Sequence, residues 1–234
     1  MICYHGAWDL VYLFGVDWPF YHSKGGFYWQ QSICWTFILL SGFCVAFSSR
    51  PVRRGILVFS CGALITFATA VFMPSNIVLF GVLTLIGSSM IITGAYHQKK
   101  GDNSLHNNAS IVLCLLSFGI FLLFRNVNAG HILGGFPVPA TFYANLFTAY
   151  LGFPYRGFFS TDYFSLLPWF FLFLTGYFLH ASLFQKGEGS VGKALEKAPF
   201  KGIQFIGRHS LLIYMLHQPA LYLLLLFWFF IVTQ

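Results

Sequence analysis

The sequence predicts an all-α membrane protein, a polytopic helical bundle with about seven spanning helices. Composition is the first reason: of the 234 residues, 57% are hydrophobic and only 8% are charged, whereas a soluble domain carries about 25% charged residues. Spacing is the second reason, because the apolar residues gather in runs of roughly 20, the length that crosses a bilayer. An ordinary soluble domain is therefore excluded, and the lipid bilayer is the first expected partner.

The helices are expected to form one transmembrane domain over residues 1–234. The first apolar run is short, and it carries neither the basic flank nor the cleavage site of a signal peptide. We therefore expect a spanning helix that is truncated at its start. The expected helices are Met1–Val16, Phe27–Ser48, Gly55–Met73, Ile77–Tyr96, Ala109–Phe124, Leu167–Phe184 and His209–Val232.

Two connections are long enough to carry structure of their own. Arg125–Leu166 is rich in glycine, proline and aromatic residues, and loops of this length are usually functional or structured. We expect it to form a re-entrant or interfacial segment that folds over the bundle. Gln185–Arg208 is polar and basic, and a short amphipathic helix is expected around Val191–Ile206. Within the helices, the small residues Gly42 and Gly87 predict close contacts between neighbours.

The distribution of charge predicts the orientation in the membrane. When the helices alternate, most of the 13 basic residues fall on one side, and only Lys24, Arg125 and Arg156 fall on the other. The protein is expected in the cell membrane, that is, the plasma or inner membrane. Because basic loops stay in the cytoplasm, the 125–166 connection is expected on the outer side of that membrane. The net charge of +7 follows from this topology, and nucleic acid is not an expected partner.

The five cysteines predict neither a disulfide nor a metal site. All of them lie inside apolar runs, and no CxxC pair is present.

His5 and Asp9 are the first candidates for chemistry. An ionisable residue inside a spanning helix costs about 2.5–3.5 kcal/mol on insertion scales, so such residues usually face a cavity or a partner. Their spacing places both side chains on one helix face, one turn apart. Asp9 could hold one nitrogen of His5 and leave the other as a base or nucleophile. The alternative is a polar pair that joins helices or borders a water pocket.

His217 is the next buried candidate, and it precedes Gln218 and Pro219 in the last helix. A proline frees a backbone carbonyl that a polar neighbour can bond, so His217 and Gln218 could repair a kink or serve a site.

Arg53, Arg54 and Arg208 lie in the basic loops. They could orient the chain and contact lipid headgroups, or they could bind phosphate groups, for which arginine geometry is well suited.

Asp162, Tyr163 and Trp169 lie where the long connection enters the sixth helix. Locally, Asp162 could stabilise the start of that helix, with Pro168 in its first turn. A carboxylate beside aromatic rings would also suit a binding mouth for a sugar.

Four ordered patches give the chain a family resemblance. The patches are Tyr4-His5 with Trp8-Asp9, Phe80–Leu83 with Ile86-Gly87, Asp162–Phe164 with Leu167–Trp169 and Gly176–Phe178, and Gly207 with Tyr214–Pro219. With these patches the chain resembles bacterial relatives of the heparan-α-glucosaminide N-acetyltransferase catalytic domain, a family of transmembrane acyltransferases, over essentially its whole length.

The resemblance implies acyl transfer from cytoplasmic acetyl-CoA, or another acyl-CoA, to a hydroxyl or amine of a sugar at the outer side, without a metal. It implies His5 as the catalytic residue, with Asp9 to orient it. Arg53, Arg54, Arg208 and His217 become the candidates for binding acyl-CoA. Asp162, Tyr163 and Trp169 become those for the sugar. A homodimer is a further assembly to expect.

The family usually has a D-x-x-R-G segment before the histidine helix, and this chain begins after that point. We therefore expect that the native start is missing and that this short form could lack activity.

A proton-coupled transporter or flippase is the alternative function, since His and Asp inside a membrane also form proton relays. Repeated halves and paired broken helices, which many transporters show, are not evident in the sequence. A non-catalytic membrane scaffold is the third hypothesis.

Overall fold

The computed structural model describes residues 1–100, 107–184 and 201–232, and it is almost entirely helical. This confirms the all-α class. A two-stranded antiparallel ribbon, β1 (His131–Ile132) and β2 (Phe136–Pro137), is the sheet structure of the described part. The helices are α1 (Ile2–Tyr12), α2 (Lys24–Val45), α3 (Pro51–Phe72), α4 (Val82–Lys100), α5 (Asn107–Phe124), α6 (Leu146–Leu151), α7 (Leu166–Leu183), α8 (Lys201–Arg208) and α9 (Ser210–Val232).

The chain divides into two compact units. The first comprises Met1–Thr36 and Ala194–Gln234, and it contains α1, α8, α9 and the start of α2. The second comprises Phe37–Lys193 and contains the end of α2 together with α3 to α7. The single transmembrane domain expected over residues 1–234 stays a prediction.

Four of the described helical segments are long and apolar enough to cross a membrane: Pro51–Phe72, Asn108–Ala129, Leu166–Leu183 and Ser210–Val232. The apolar part of α4, Val82–Tyr96, is shorter, and α1 has 11 residues. Leu223, Phe227 and Trp228 of α9 are exposed although they are large and apolar. Lipid is the solvent that such a surface requires, so the chain is a membrane protein.

The first residues of α3 and α4 differ from the predicted ones, because prolines and turns set where these two helices begin. Helix α3 starts at Pro51, ahead of the predicted Gly55, because a proline fits the first helical position, where no backbone N–H is needed. Helix α4 starts at Val82 rather than Ile77. A 3₁₀ turn at Pro74–Asn76 and the left-handed backbone of Phe80 (φ 54°) delay it.

Glycines bring helix backbones into contact in the second unit, as the small residues predicted. A β-carbon built at Gly42 of α2 would lie 1.9 Å from the carbonyl oxygen of Phe173, and one at Gly176 of α7 would lie 2.0 Å from that of Leu39. Between α3 and α4, a β-carbon at Gly87 would lie 2.5 Å from the backbone nitrogen of Phe59. No other residue type would allow these crossings.

The long connection 125–166 carries structure of its own, as expected. It contains 3₁₀ turns, the β-ribbon and α6, which Asn145 caps by accepting the backbone N–H of Thr148 at 3.0 Å. Its last part bonds to the α3–α4 connection: the N–H of Phe164 donates to the carbonyl of Phe80 at 2.9 Å, and Thr161 donates to Ile77 at 3.0 Å. This segment therefore fixes the start of α4.

The amphipathic helix expected around Val191–Ile206 falls partly outside the described residues, which resume at Lys201. From there the chain is helical as α8, with an exposed Arg208 at its end.

Candidate active site

Helices α1 and α9 pack together in the first unit and bury the ionisable residues predicted from sequence. Asp9 is fully buried (0% exposed) and His217 is 9% exposed. His5 is half-buried on the same face of α1, one turn before Asp9. Gln218 follows His217 on α9, directly before Pro219. Four polar side chains thus meet on two helices that are otherwise apolar.

The carboxylate of Asp9 is held by Gln218. The side-chain amide nitrogen of Gln218 donates to Oδ1 of Asp9 at 2.5 Å. The hydrogen bond expected between Asp9 and His5 does not occur among the hydrogen bonds of the described residues. The helical spacing of the two residues is as predicted, but the carboxylate turns toward the neighbouring helix, which offers it an amide donor.

His5 instead faces His217. The two ring centroids are 4.9 Å apart, and the ring planes meet at 64°. Nδ1 of His217 lies 2.5 Å from the carbonyl oxygen of Tyr214, so we assign the proton of the neutral ring to Nδ1. The Nε2 atom of His217 then carries the lone pair and can accept a proton.

Three buried atoms of this cluster have no hydrogen-bond partner within the described parts of the chain: Oδ2 of Asp9, Nε2 of His217 and Oε1 of Gln218. All three are acceptors. Buried polar atoms in native proteins are nearly always satisfied, so each exception calls for an explanation. A ligand that brings hydrogen-bond donors would satisfy these atoms, and a base on either helix could take its proton.

Aromatic rings border the cluster on the α1 side. Tyr4 packs edge-on against His5 with ring centroids 6.2 Å apart, and it stacks on Tyr21 at 5.4 Å and meets Trp29 at 5.2 Å. Tyr21 lies in the α1–α2 connection, where burial and a hydrogen bond with Tyr4 raise the pKa of its phenol. Its hydroxyl therefore stays protonated and is not a base at neutral pH.

The basic residues predicted to bind acyl-CoA lie in both units. Arg53 and Arg54 are exposed in the first turn of α3, in the second unit. Arg208 is exposed at the end of α8, in the first unit. His217, assigned to the same role, lies beside His5.

The residues predicted to bind sugar lie in the second unit and already have partners there. The hydroxyl of Tyr163 donates to the carbonyl of Ala149, and the ring of Trp169 packs between Phe121 and Phe164, at 5.5 and 5.1 Å. Asp162 accepts the backbone N–H of Val82, the first residue of α4.

The expectation that Asp162 stabilises the start of the adjacent helix, α7, is therefore wrong, because the N–H that it accepts belongs to the first residue of α4. Burial raises its pKa to about 6, and the hydrogen bond from Val82 opposes that rise.

Gln218 is the partner that the sequence did not assign to Asp9. The two residues are 209 positions apart, and a single sequence carries no signal that pairs them. The one available sign was a polar His-Gln pair beside a proline within an apolar run.

Comparison with known proteins adds a family match. A family model described as "Heparan-alpha-glucosaminide N-acetyltransferase, catalytic" matches residues 1–219, which is most of the chain. No curated protein and no solved structure matches the chain significantly.

Proposed function

Since the chain belongs to the heparan-alpha-glucosaminide N-acetyltransferase catalytic family, we propose that it moves an acyl group from acyl-CoA to a sugar. Family membership makes it a membrane acyltransferase. The proposal adds three particulars: cytoplasmic acetyl-CoA or another acyl-CoA as donor, a sugar hydroxyl or amine as acceptor, and acylation at the outer side of the membrane.

The observation that carries the proposal is the set of unsatisfied buried acceptors between α1 and α9. Oδ2 of Asp9, Nε2 of His217 and Oε1 of Gln218 face no donor among the described residues. A hydroxyl or amine supplies donors, and it must lose a proton when it is acylated. Acceptor atoms beside His5 therefore suit the acceptor half of an acyl transfer.

The chemistry follows from these groups. The acceptor oxygen or nitrogen attacks the thioester carbonyl, a C–O or C–N bond forms, and the C–S bond breaks. The acceptor's proton passes to an imidazole, from which the departing thiolate can recover it. Such a base contributes about 10²- to 10⁴-fold to the rate. In the second route, His5 first takes the acyl group on a ring nitrogen and then passes it to the acceptor.

The donor end of the reaction is assigned to the basic cytoplasmic loops. Arg53 and Arg54 are exposed, so their guanidinium groups are free to form bidentate contacts with the phosphates of coenzyme A. Arg208 is a third candidate. The double variant Arg53→Ala with Arg54→Ala is expected to raise the KM for acyl-CoA and to leave that for the sugar unchanged. An unchanged KM for acyl-CoA would remove both residues from the donor site.

The acceptor end keeps Asp162, Tyr163 and Trp169 as predicted contacts. Each of the three side chains already has a partner in the second unit. The aromatic border of Tyr4, Tyr21 and Trp29 lies beside His5 within the first unit, and it offers a second candidate surface for a sugar ring.

The test is a transfer assay in proteoliposomes with radiolabelled acyl-CoA and amino sugar or neutral sugar acceptors. His5→Ala is expected to abolish transfer. His131→Ala is the matched control, because His131 is a histidine in the β-ribbon of the second unit, where its Nδ1 lies 3.3 Å from the carbonyl oxygen of Ala129 in the same turn. Full transfer by the His5 variant would overturn the catalytic assignment. Supplying acyl-CoA on one face at a time tests the direction.

A further inference from the structure

We infer that Gln218 is a positioning residue for Asp9: its amide, not His5, holds the carboxylate in the orientation that the reaction requires. The inference rests on the proposed acyl transfer. Its observation is the hydrogen bond from Nε2 of Gln218 to Oδ1 of Asp9, at 2.5 Å, between α9 and α1.

The hydrogen bond from Gln218 supplies the donor that the buried carboxylate of Asp9 requires. Asp9 is 0% exposed, and a buried anion without a donor is strongly disfavoured. Gln218 supplies one N–H to Oδ1 and leaves Oδ2 without a partner among the described side chains. The carboxylate is thus fixed by one oxygen and presents the other.

Repair of the helix at Pro219 does not account for this contact. Pro219 lacks an N–H, which frees the carbonyl four residues earlier, that of Met215. The amide of Gln218 donates to Asp9 instead. His217 does bond a backbone carbonyl, but it is that of Tyr214. Gln218 is therefore directed at the α1 carboxylate rather than at its own helix.

The first experiment replaces Gln218 with methionine, which keeps the length of the side chain and removes the amide. In proteoliposomes, kcat for acyl transfer is expected to fall roughly 10- to 100-fold, because Asp9 loses its donor and its fixed orientation. The KM for acyl-CoA should stay within about twofold of wild type. Gln31→Met is the matched control, since it removes a glutamine that bonds Trp35 on α2 in the same unit, and it should keep wild-type kcat.

The second experiment separates positioning from packing through the pH profile. In Gln218→Glu, two carboxyl groups occupy one contact, and they can bond only when they share a proton. His5 and His217 face the same cluster and titrate in wild type too, so the ratio of variant to wild-type rate is the quantity to follow. We expect this ratio to rise about tenfold between about pH 8 and about pH 5.5. A flat ratio would overturn the inference.

A swapped pair keeps the inference testable even if the wild-type chain proves inactive. Asp9→Asn with Gln218→Glu restores an amide–carboxylate bond with the roles reversed. Its melting temperature should exceed that of Gln218→Glu alone, while transfer stays as low as in Asp9→Asn.

The outcomes separate as follows. If the wild-type chain shows no transfer, only the proposed function is overturned. The positioning role is overturned if Gln218→Met keeps wild-type kcat. It is also overturned if the melting temperatures show no coupling between Asp9→Asn and Gln218→Glu.

Discussion

Two polar clusters in this chain differ in whether their atoms have partners. Around the start of α4 in the second unit, Asp162 accepts from Val82, Tyr163 donates to Ala149, and Tyr150 donates to Ser88 at 2.5 Å. Between α1 and α9 in the first unit, Asp9, His217 and Gln218 each keep one buried acceptor without a partner among the described residues.

Whether buried polar atoms have hydrogen-bond partners helps to separate polar residues that stabilise the fold from those that are available for chemistry. A satisfied buried polar group stabilises one arrangement of the backbone. An unsatisfied one costs free energy and calls for an explanation, such as a catalytic role, a bound water or an ion. On this ground we propose the α1–α9 cluster as the reacting centre and assign the cluster at α4 a structural role. Substitutions in the two clusters should therefore affect different measurements.

Asp9→Asn should give the largest effect. The amide can still accept the hydrogen bond from Gln218, so the fold should persist, and the loss of a buried charge should leave the melting temperature unchanged or higher. Transfer of labelled acyl groups is expected to fall about 10²-fold, because an N–H donor replaces Oδ2, the acceptor atom that is open to a hydroxyl or amine. Near-wild-type transfer would place the two clusters in the same structural class.

Gly42→Val should give the largest effect on stability and serves as the counterpart in the second unit. Its β-carbon would meet the carbonyl oxygen of Phe173 at 1.9 Å, so the free energy of unfolding should fall by about 3 kcal/mol or more. Gly119→Ala on α5 is the matched control. Nothing lies within 4 Å of its β-carbon position, and a gain of about 0.5–1 kcal/mol is expected. Denaturation in detergent measures both, and equal losses would contradict the packing described.

Asp162 should make the stability of the chain depend on pH. Its pKa is raised from 3.8 to about 6, so between these values the folded state binds more protons than the unfolded state. The free energy of unfolding should therefore rise as the pH falls from about 7 to about 4, by at most about 3 kcal/mol, since one unit of pKa shift corresponds to about 1.4 kcal/mol.

Asp162→Asn should remove this dependence. Melting temperatures across that pH range provide the measurement, and an unaltered slope in the variant would assign the effect to another group.

Tyr163→Phe should give the smallest effect. It removes the hydroxyl that donates to Ala149, and a net loss of about 0.5–1.5 kcal/mol is typical for one hydrogen bond. The KM for the sugar should be unchanged if the residue is structural. A several-fold rise in this KM, with stability intact, would restore Tyr163 to the acceptor site. Tyr150→Phe, which removes the bond to Ser88, provides the comparison.

The helices and the ionisable residues could be predicted from sequence because both depend on local patterns. Apolar runs of spanning length located α3, α5, α7 and α9, and the cost of charge in lipid singled out His5 and Asp9. The small residue at Gly42 correctly indicated a close crossing.

The partners of these residues could not be predicted, because they depend on which helices become neighbours. Helical spacing favoured a bond between His5 and Asp9, yet a donor on α9, Gln218, holds the carboxylate. Asp162 likewise stabilises α4 rather than the nearby α7, since the long connection returns to the α3–α4 turn. Contacts between residues so far apart in the chain cannot be recognised from a single sequence.

The glycine crossing in the second unit has a mechanical consequence. Gly42 lies on the carbonyl of Phe173, and Gly176 lies on that of Leu39, so each helix places a glycine against the other's backbone. Two such contacts in opposite directions fix the register: sliding either helix by one residue would put a side chain against a carbonyl oxygen. Residues 37–45 of α2 and helix α7 should therefore move together as one rigid body in any conformational change during turnover.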